Sequence, residues 1–92
     1  MPVGSRSLMS EIIRINKSKE SEEVKLLAQV TAIIELYSGF SADRLEFLRK
    51  VRRRLMSNIQ DPIALEAARV NVRRYLNNPG CFKQEAYRKV AE

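Results

Sequence analysis

Six of the eleven residues from Arg44 to Arg54 are basic: Arg44, Arg49, Lys50, Arg52, Arg53 and Arg54. The arginine fork binds phosphate oxygens two at a time and keeps its charge at any working pH. If the segment is helical, Arg49 and Arg53 stand one turn apart with Lys50 beside them, a stripe able to lie along a phosphate backbone. Arg69, Arg73 and Arg74 extend that surface if the chain folds back as an antiparallel hairpin, which the short Ser57–Asp61 connection permits. Arg49, Lys50, Arg53, Arg54, Arg73 and Arg74 are therefore the expected contacts to duplex DNA or RNA.

A solvated charged face is the competing explanation. Glu46 precedes Arg49 and Lys50, Glu66 precedes Arg69, and Glu85 precedes Arg88 and Lys89 at helix-pairing spacings. Such pairs stabilise a helix by only a few tenths of a kcal/mol. They leave Arg53, Arg54, Arg73 and Arg74 without a nearby acid. Arg52 falls at the edge of the apolar arc, where its stem should pack and its head reach water, with Glu35 or Asp61 as alternative partners. The same basic face could instead dock on an acidic partner protein, which is the alternative function.

Other binding modes fit less well. A helix-turn-helix over Thr31–Val51 would place Ile34, Phe40, Leu45 and Leu48 at apolar positions and turn Ser41, Ala42 and Arg44 towards the bases. Glu35 and Ser38 stand where that motif wants small or apolar residues. Single-strand stacking has only Phe47 inside the basic stretch; Tyr37, Phe40, Tyr75, Phe82 and Tyr87 read better as core or interface.

Catalytic chemistry has little to work with. The chain contains no His and one Cys, which removes His-based general bases, His metal ligands, thiolate zinc sites and Cys-His pairs. Gly4, Gly39 and Gly80 are too scattered for a phosphate-cradling loop. Cys81 reads as a small packed side chain without a resolving partner. The expectation is a protein that is not an enzyme and carries no cofactor or metal.

The elements that must position the arginines are helices. Three Gly, three Pro and no sustained apolar alternation leave no place for a sheet. Residues 1–7 are expected to be disordered. A short helix follows with Leu8, Met9, Ile12, Ile13 and Ile15 on one side. Ser21 caps a second helix to Tyr37, whose core stripe is Leu26, Leu27, Val30, Ile33, Ile34 and Tyr37, with Leu36 outside it. Ser38-Gly39 ends that helix, Gly39 supplying a left-handed turn.

Ser41 opens the third helix, expected to reach Ile59, with Leu45, Leu48, Val51, Leu55 and Ile59 inward. Asp61-Pro62 caps and starts the fourth, about 62–77, which buries Ala64, Leu65, Ala68, Val72, Tyr75 and Leu76 and carries a second patch of Ile63, Ala67 and Val70. Asn78-Pro79 introduces a last helix, about 79–91, burying Phe82, Ala86 and Val90. The fold class is all-α, a small bundle of four to five helices forming one domain over residues 1–92.

Composition agrees with this class. The 92 residues are 45% hydrophobic and 30% charged, with a net charge of +6. Residues 1–40 hold five basic and five acidic groups, whereas residues 41–92 hold twelve basic against six acidic. The excess charge thus lies in the half that holds the arginine stripe. No apolar run approaches the roughly 18 residues of a membrane span, and MPVGSRSLMS lacks a signal-peptide core. A cytoplasmic, reducing location is expected. Leftover apolar surface on the second and fourth helices, and the frequency of symmetric pairs, suggest a homodimer.

Overall fold

The computed structural model describes residues 7–37 and 39–78. Among them are four α-helices and no strand: α1 (Leu8–Asn16), α2 (Glu22–Leu36), α3 (Ala42–Ser57) and α4 (Pro62–Asn77). The protein is a small all-α bundle. The expected fifth helix over 79–91, with Phe82, Ala86, Val90 and Cys81, lies outside the described residues.

Each helix begins where a side-chain oxygen can take an orphan backbone N–H. Ser7 Oγ accepts from Ser10 N at 3.0 Å, which makes Ser7 the N-cap of α1. Ser21 and Ser41 accept from Val24 and Arg44 N at 3.3 and 3.2 Å. Asp61 Oδ1 accepts from both Ile63 N and Ala64 N, at 3.0 and 3.1 Å, with Pro62 following it.

The helix ends differ more from expectation. α2 stops at Leu36, and Tyr37 is already extended. Gly39 has φ 92°, but it acts in the connection rather than as the residue closing the helix. α3 stops at Ser57, because Asn58 is extended and accepts from Asp61 N through its carbonyl. Ile59 therefore sits in the turn, half-buried.

The core is built from Leu8, Ile12 and Ile15 of α1, Leu26, Val30 and Ile33 of α2, Leu48, Val51 and Leu55 of α3, and Ala64, Ala68, Val72 and Tyr75 of α4. Full burial of a side chain such as Ile12, Ile33 or Leu48 contributes about 1.5–3 kcal/mol. Ile13 departs from the expected cluster: 100° round from Ile12, it points outward and is exposed. Leu76 is also exposed rather than buried.

Two hairpins form the bundle. Gln29 Nε2 donates to Ile12 O at 3.2 Å and Lys25 Nζ to Asn16 O at 3.0 Å, so α1 runs antiparallel to α2. Arg44 Nη1 donates to Asn71 Oδ1 at 3.4 Å and Arg54 Nε to Asp61 Oδ2 at 2.9 Å, so α3 runs antiparallel to α4. α2 packs against all three other helices and is the central element. Tyr37 meets Tyr75 edge-on at 6.0 Å and Phe40 at 4.5 Å, closing one end of the bundle. These contacts give Tyr37, Phe40 and Tyr75 a packing role; Phe82 and Tyr87 are outside the described residues.

Candidate nucleic-acid interface

α3 turns Leu48, Val51 and Leu55 into the core, which leaves the opposite side of the helix to Glu46, Arg49, Lys50 and Arg53. Arg49, Lys50 and Arg53 are exposed and make no ion pair or hydrogen bond with the described residues. The expected pairing of Glu46 with Arg49 and Lys50 is not formed. Three cations thus share one outward ridge beside a single carboxylate.

Arg54 is different. Its position, 100° on from Arg53, directs it across the turn to Asp61, which it meets at 2.9 Å. It had been expected to lack an acid; the hairpin supplies one seven residues later. The same carboxylate caps α4. Its pKa is held below the usual carboxylate value, first by the Ala64 N–H bond, against the opposing effect of partial burial, and then by Arg54. Arg52 is half-buried at the margin of the apolar arc, as its wheel position implied, and pairs with neither Asp61 nor Glu35.

On α4, Arg73 is exposed without a partner among the described residues, and Arg74 is exposed but engaged in a further interaction. The Arg44–Asn71 and Arg54–Asp61 contacts fix the register of the hairpin. They place Arg73 and Arg74 level with the start of α3, at the end of the hairpin remote from Arg53 and Arg54. The six expected residues are consequently spread over about 20 Å along the hairpin, at 1.5 Å per residue, rather than gathered in one compact cluster.

Arg69 lies on the same helix but is neutralised. Glu66 Oε1 accepts from its Nη1 at 2.6 Å, as the spacing implied, and Glu22 Oε2 of α2 accepts from its Nε at 3.3 Å. Glu22 first and Glu66 second raise its already high pKa. Arg44, the residue a helix-turn-helix would aim at bases, instead lies 5.7 Å over the Phe47 ring and bonds Asn71.

Asn71 and Gln29 were missed in the sequence. Both are buried, and no buried side-chain polar atom among the described residues lacks a partner. Asn71 Nδ2 donates to Ala67 O at 2.7 Å while its Oδ1 accepts from Arg44, so it links the two helices that carry the cations. The signal was available: Asn71 is three residues after Ala68 and four before Tyr75, inside the apolar arc.

Apolar side chains also reach the surface of this hairpin. Ile63 is 66% exposed, and Val70 and Phe47 are exposed as well, with Ala67 half-buried. The register brings Phe47 level with Ala67 and Ala68. No helix of the described residues is long and apolar enough to cross a membrane, and they contain no cluster of three or more Cys, Asp or Glu side chains able to hold a metal ion. No family model matches the chain, and neither a curated protein nor a solved structure does.

Proposed function

We propose that the chain is a non-catalytic, homodimeric binding protein that contacts the phosphate backbone of duplex DNA or RNA through α3, with α4 extending the contact. The observation supporting this reading is the ridge of Arg49, Lys50 and Arg53, solvent-facing and without acidic partners among the described residues. Bringing such like charges within a helical turn is unfavourable until an anion approaches. A polyanion with regularly spaced charges offsets all three at once. Backbone contacts carry no sequence information, so binding is expected to be sequence-tolerant.

Titration with a duplex at several salt concentrations tests this. Contacts by Arg49, Lys50, Arg53 and Arg73 give a log–log slope of about −3.6 on B-DNA. Arg49→Glu combined with Arg53→Glu is expected to abolish binding while leaving the helical circular dichroism spectrum intact. Affinity that barely responds to salt, or survives the double reversal, counts against the proposal.

A second reading is favoured by the exposed apolar residues of the same hairpin. Phe47, Ile63 and Val70, close to Lys50 and Arg54, suit an acidic amphipathic helix of a partner protein. On that reading Ile63→Ser with Val70→Ser weakens partner binding, whereas duplex binding depends on neither.

A further inference from the structure

The central helix is apolar on two sides. Leu26, Val30 and Ile33 face the core, while the opposite side of α2 forms the floor of a groove of about 620 Å³ beside α1. A helix with apolar residues all round is ordinarily covered all round. Val24 and Leu36 mark the two ends of the groove and stand 40% and 49% exposed, with the small residues Ala28, Thr31 and Ala32 between them. The distance between those ends along α2 is about 18 Å. One charge is left over. Arg14 is taken by Glu11, which accepts from its Nε at 3.3 Å and also from its Nη2. Glu35, near the Leu36 end, is exposed and has no partner among the described residues. The groove therefore suits an apolar helix face with a cation close to Leu36.

The end of α4 delivers the chain to that end of the groove. Tyr75 meets Tyr37, the residue after Leu36, with ring centroids 6.0 Å apart, and Asn78 has already left helical geometry. Residues 79–92 follow, outside the described residues. Extended, residues 78–81 reach about 13–14 Å, enough to cross the roughly 10–12 Å width of α2. Residues 82–92 as a helix then measure about 16 Å, close to the length of the groove. Phe82, Ala86 and Val90 recur at every fourth position and share one side of such a helix, with Lys83 at its border.

We infer that residues 82–92 of the same chain dock as a helix in this groove, antiparallel to α2. In that register Phe82 meets the Leu36 end, Ala86 lies over the small residues Ala28 and Thr31, and Val90 reaches the Val24 end. Lys83 comes within one turn of Glu35. The segment carries Lys83, Arg88 and Lys89 against Glu85 and Glu92. Its net positive charge complements the leftover carboxylate and disfavours the alternative apolar surface on α3 and α4, where Lys50 and Arg73 stand. A tethered segment acts at an effective concentration of roughly millimolar, so a contact too small to hold a separate chain is enough for it. The inference is independent of the proposed phosphate-backbone binding.

A nitroxide on the full chain reads where the segment lies. Cys81 supplies the one thiol of the chain, so Cys81→Ser with Glu92→Cys moves the label to residue 92, which docking brings beside the Val24 end. The amide signals of Val24 and Ala28 are expected to be lost by broadening, while those of Phe47 and Val70 persist. Phe82→Asp with Val90→Asp should restore the lost signals and leave those of Leu48 and Ala68 in place. Should that variant fold poorly, charge exchange at Glu35 replaces it: Glu35→Lys lessens the broadening and adding Lys83→Glu brings it back. Broadening spread evenly over the molecule, or centred on Phe47 and Val70, overturns the inference. Broadening indifferent to all these substitutions overturns it as well. Nitroxide-bearing chains mixed with isotope-labelled chains that carry no nitroxide should leave the Val24 and Ala28 signals intact. Their loss in that mixture means that a second copy fills the groove, and the inference fails.

Discussion

Asp61 joins two jobs in one carboxylate. It caps α4 through Ile63 and Ala64 N–H groups and receives Arg54 from the end of α3. Its folded pKa lies below the unfolded value near 3.8, so the stabilisation it provides is present above that value and is lost as pH falls through the folded pKa. Asn caps a helix about as well as Asp but carries no charge. Asp61→Asn is therefore expected to lower the urea midpoint at pH 7, with the difference from wild type shrinking as pH falls through the folded pKa. Asp61→Ala, which also removes the cap, should remain less stable throughout. The ion pair also separates the arginines functionally. Arg49→Gln is expected to reduce the magnitude of the salt slope for duplex binding by about 0.9. Arg54→Gln should reduce it by less, since Asp61 already neutralises part of that charge.

Helix starts were readable because capping is local: Ser21, Ser41 and Asp61-Pro62 lie beside the N–H groups they satisfy. Helix ends were less readable, since Tyr37 and Asn58 leave helical geometry through the connections that follow them. Within the candidate site, exposure of Arg49, Lys50 and Arg53 followed from the 100° spacing of Leu48, Val51 and Leu55. The partners of Arg54 and Arg69 did not, because Asp61 lies across a turn and Glu22 on another helix. Gln29 and Asn71 were overlooked by ranking residue type above position; each occupies a core position on its wheel. Gly39 tests the α2–α3 connection directly. Its φ of 92° is in the left-handed region, where an L-residue costs roughly 1–2 kcal/mol. Gly39→Ala is expected to destabilise the bundle by about that amount in urea unfolding, with the helix content of the folded state unchanged.

Among the described residues, the arginines without an acidic partner are concentrated on the outward side of α3. Concentration of like charge makes stability depend on ions. Arg49 and Arg53 are neighbours one turn apart, with Cβ atoms about 5–6 Å from each other, well inside the roughly 10 Å Debye length at 0.1 M salt. Added salt therefore relieves their repulsion, and thermal stability is expected to rise from low to moderate ionic strength. Arg49→Gln with Arg53→Gln should unfold at a higher temperature than wild type in low salt, and the gap should close as salt is added. A duplex that binds only the folded chain relieves the same repulsion more fully. At one hundred times its dissociation constant it adds about 2.7 kcal/mol, which for a domain of this size raises the midpoint by roughly 10–20 °C. The Gln variant should lose most of that ligand-induced rise while keeping its own higher baseline in low salt. Opposite signs for the two effects of one substitution separate a binding surface, which sacrifices stability for its ligand, from a solvated charged face, which would gain stability and lose nothing.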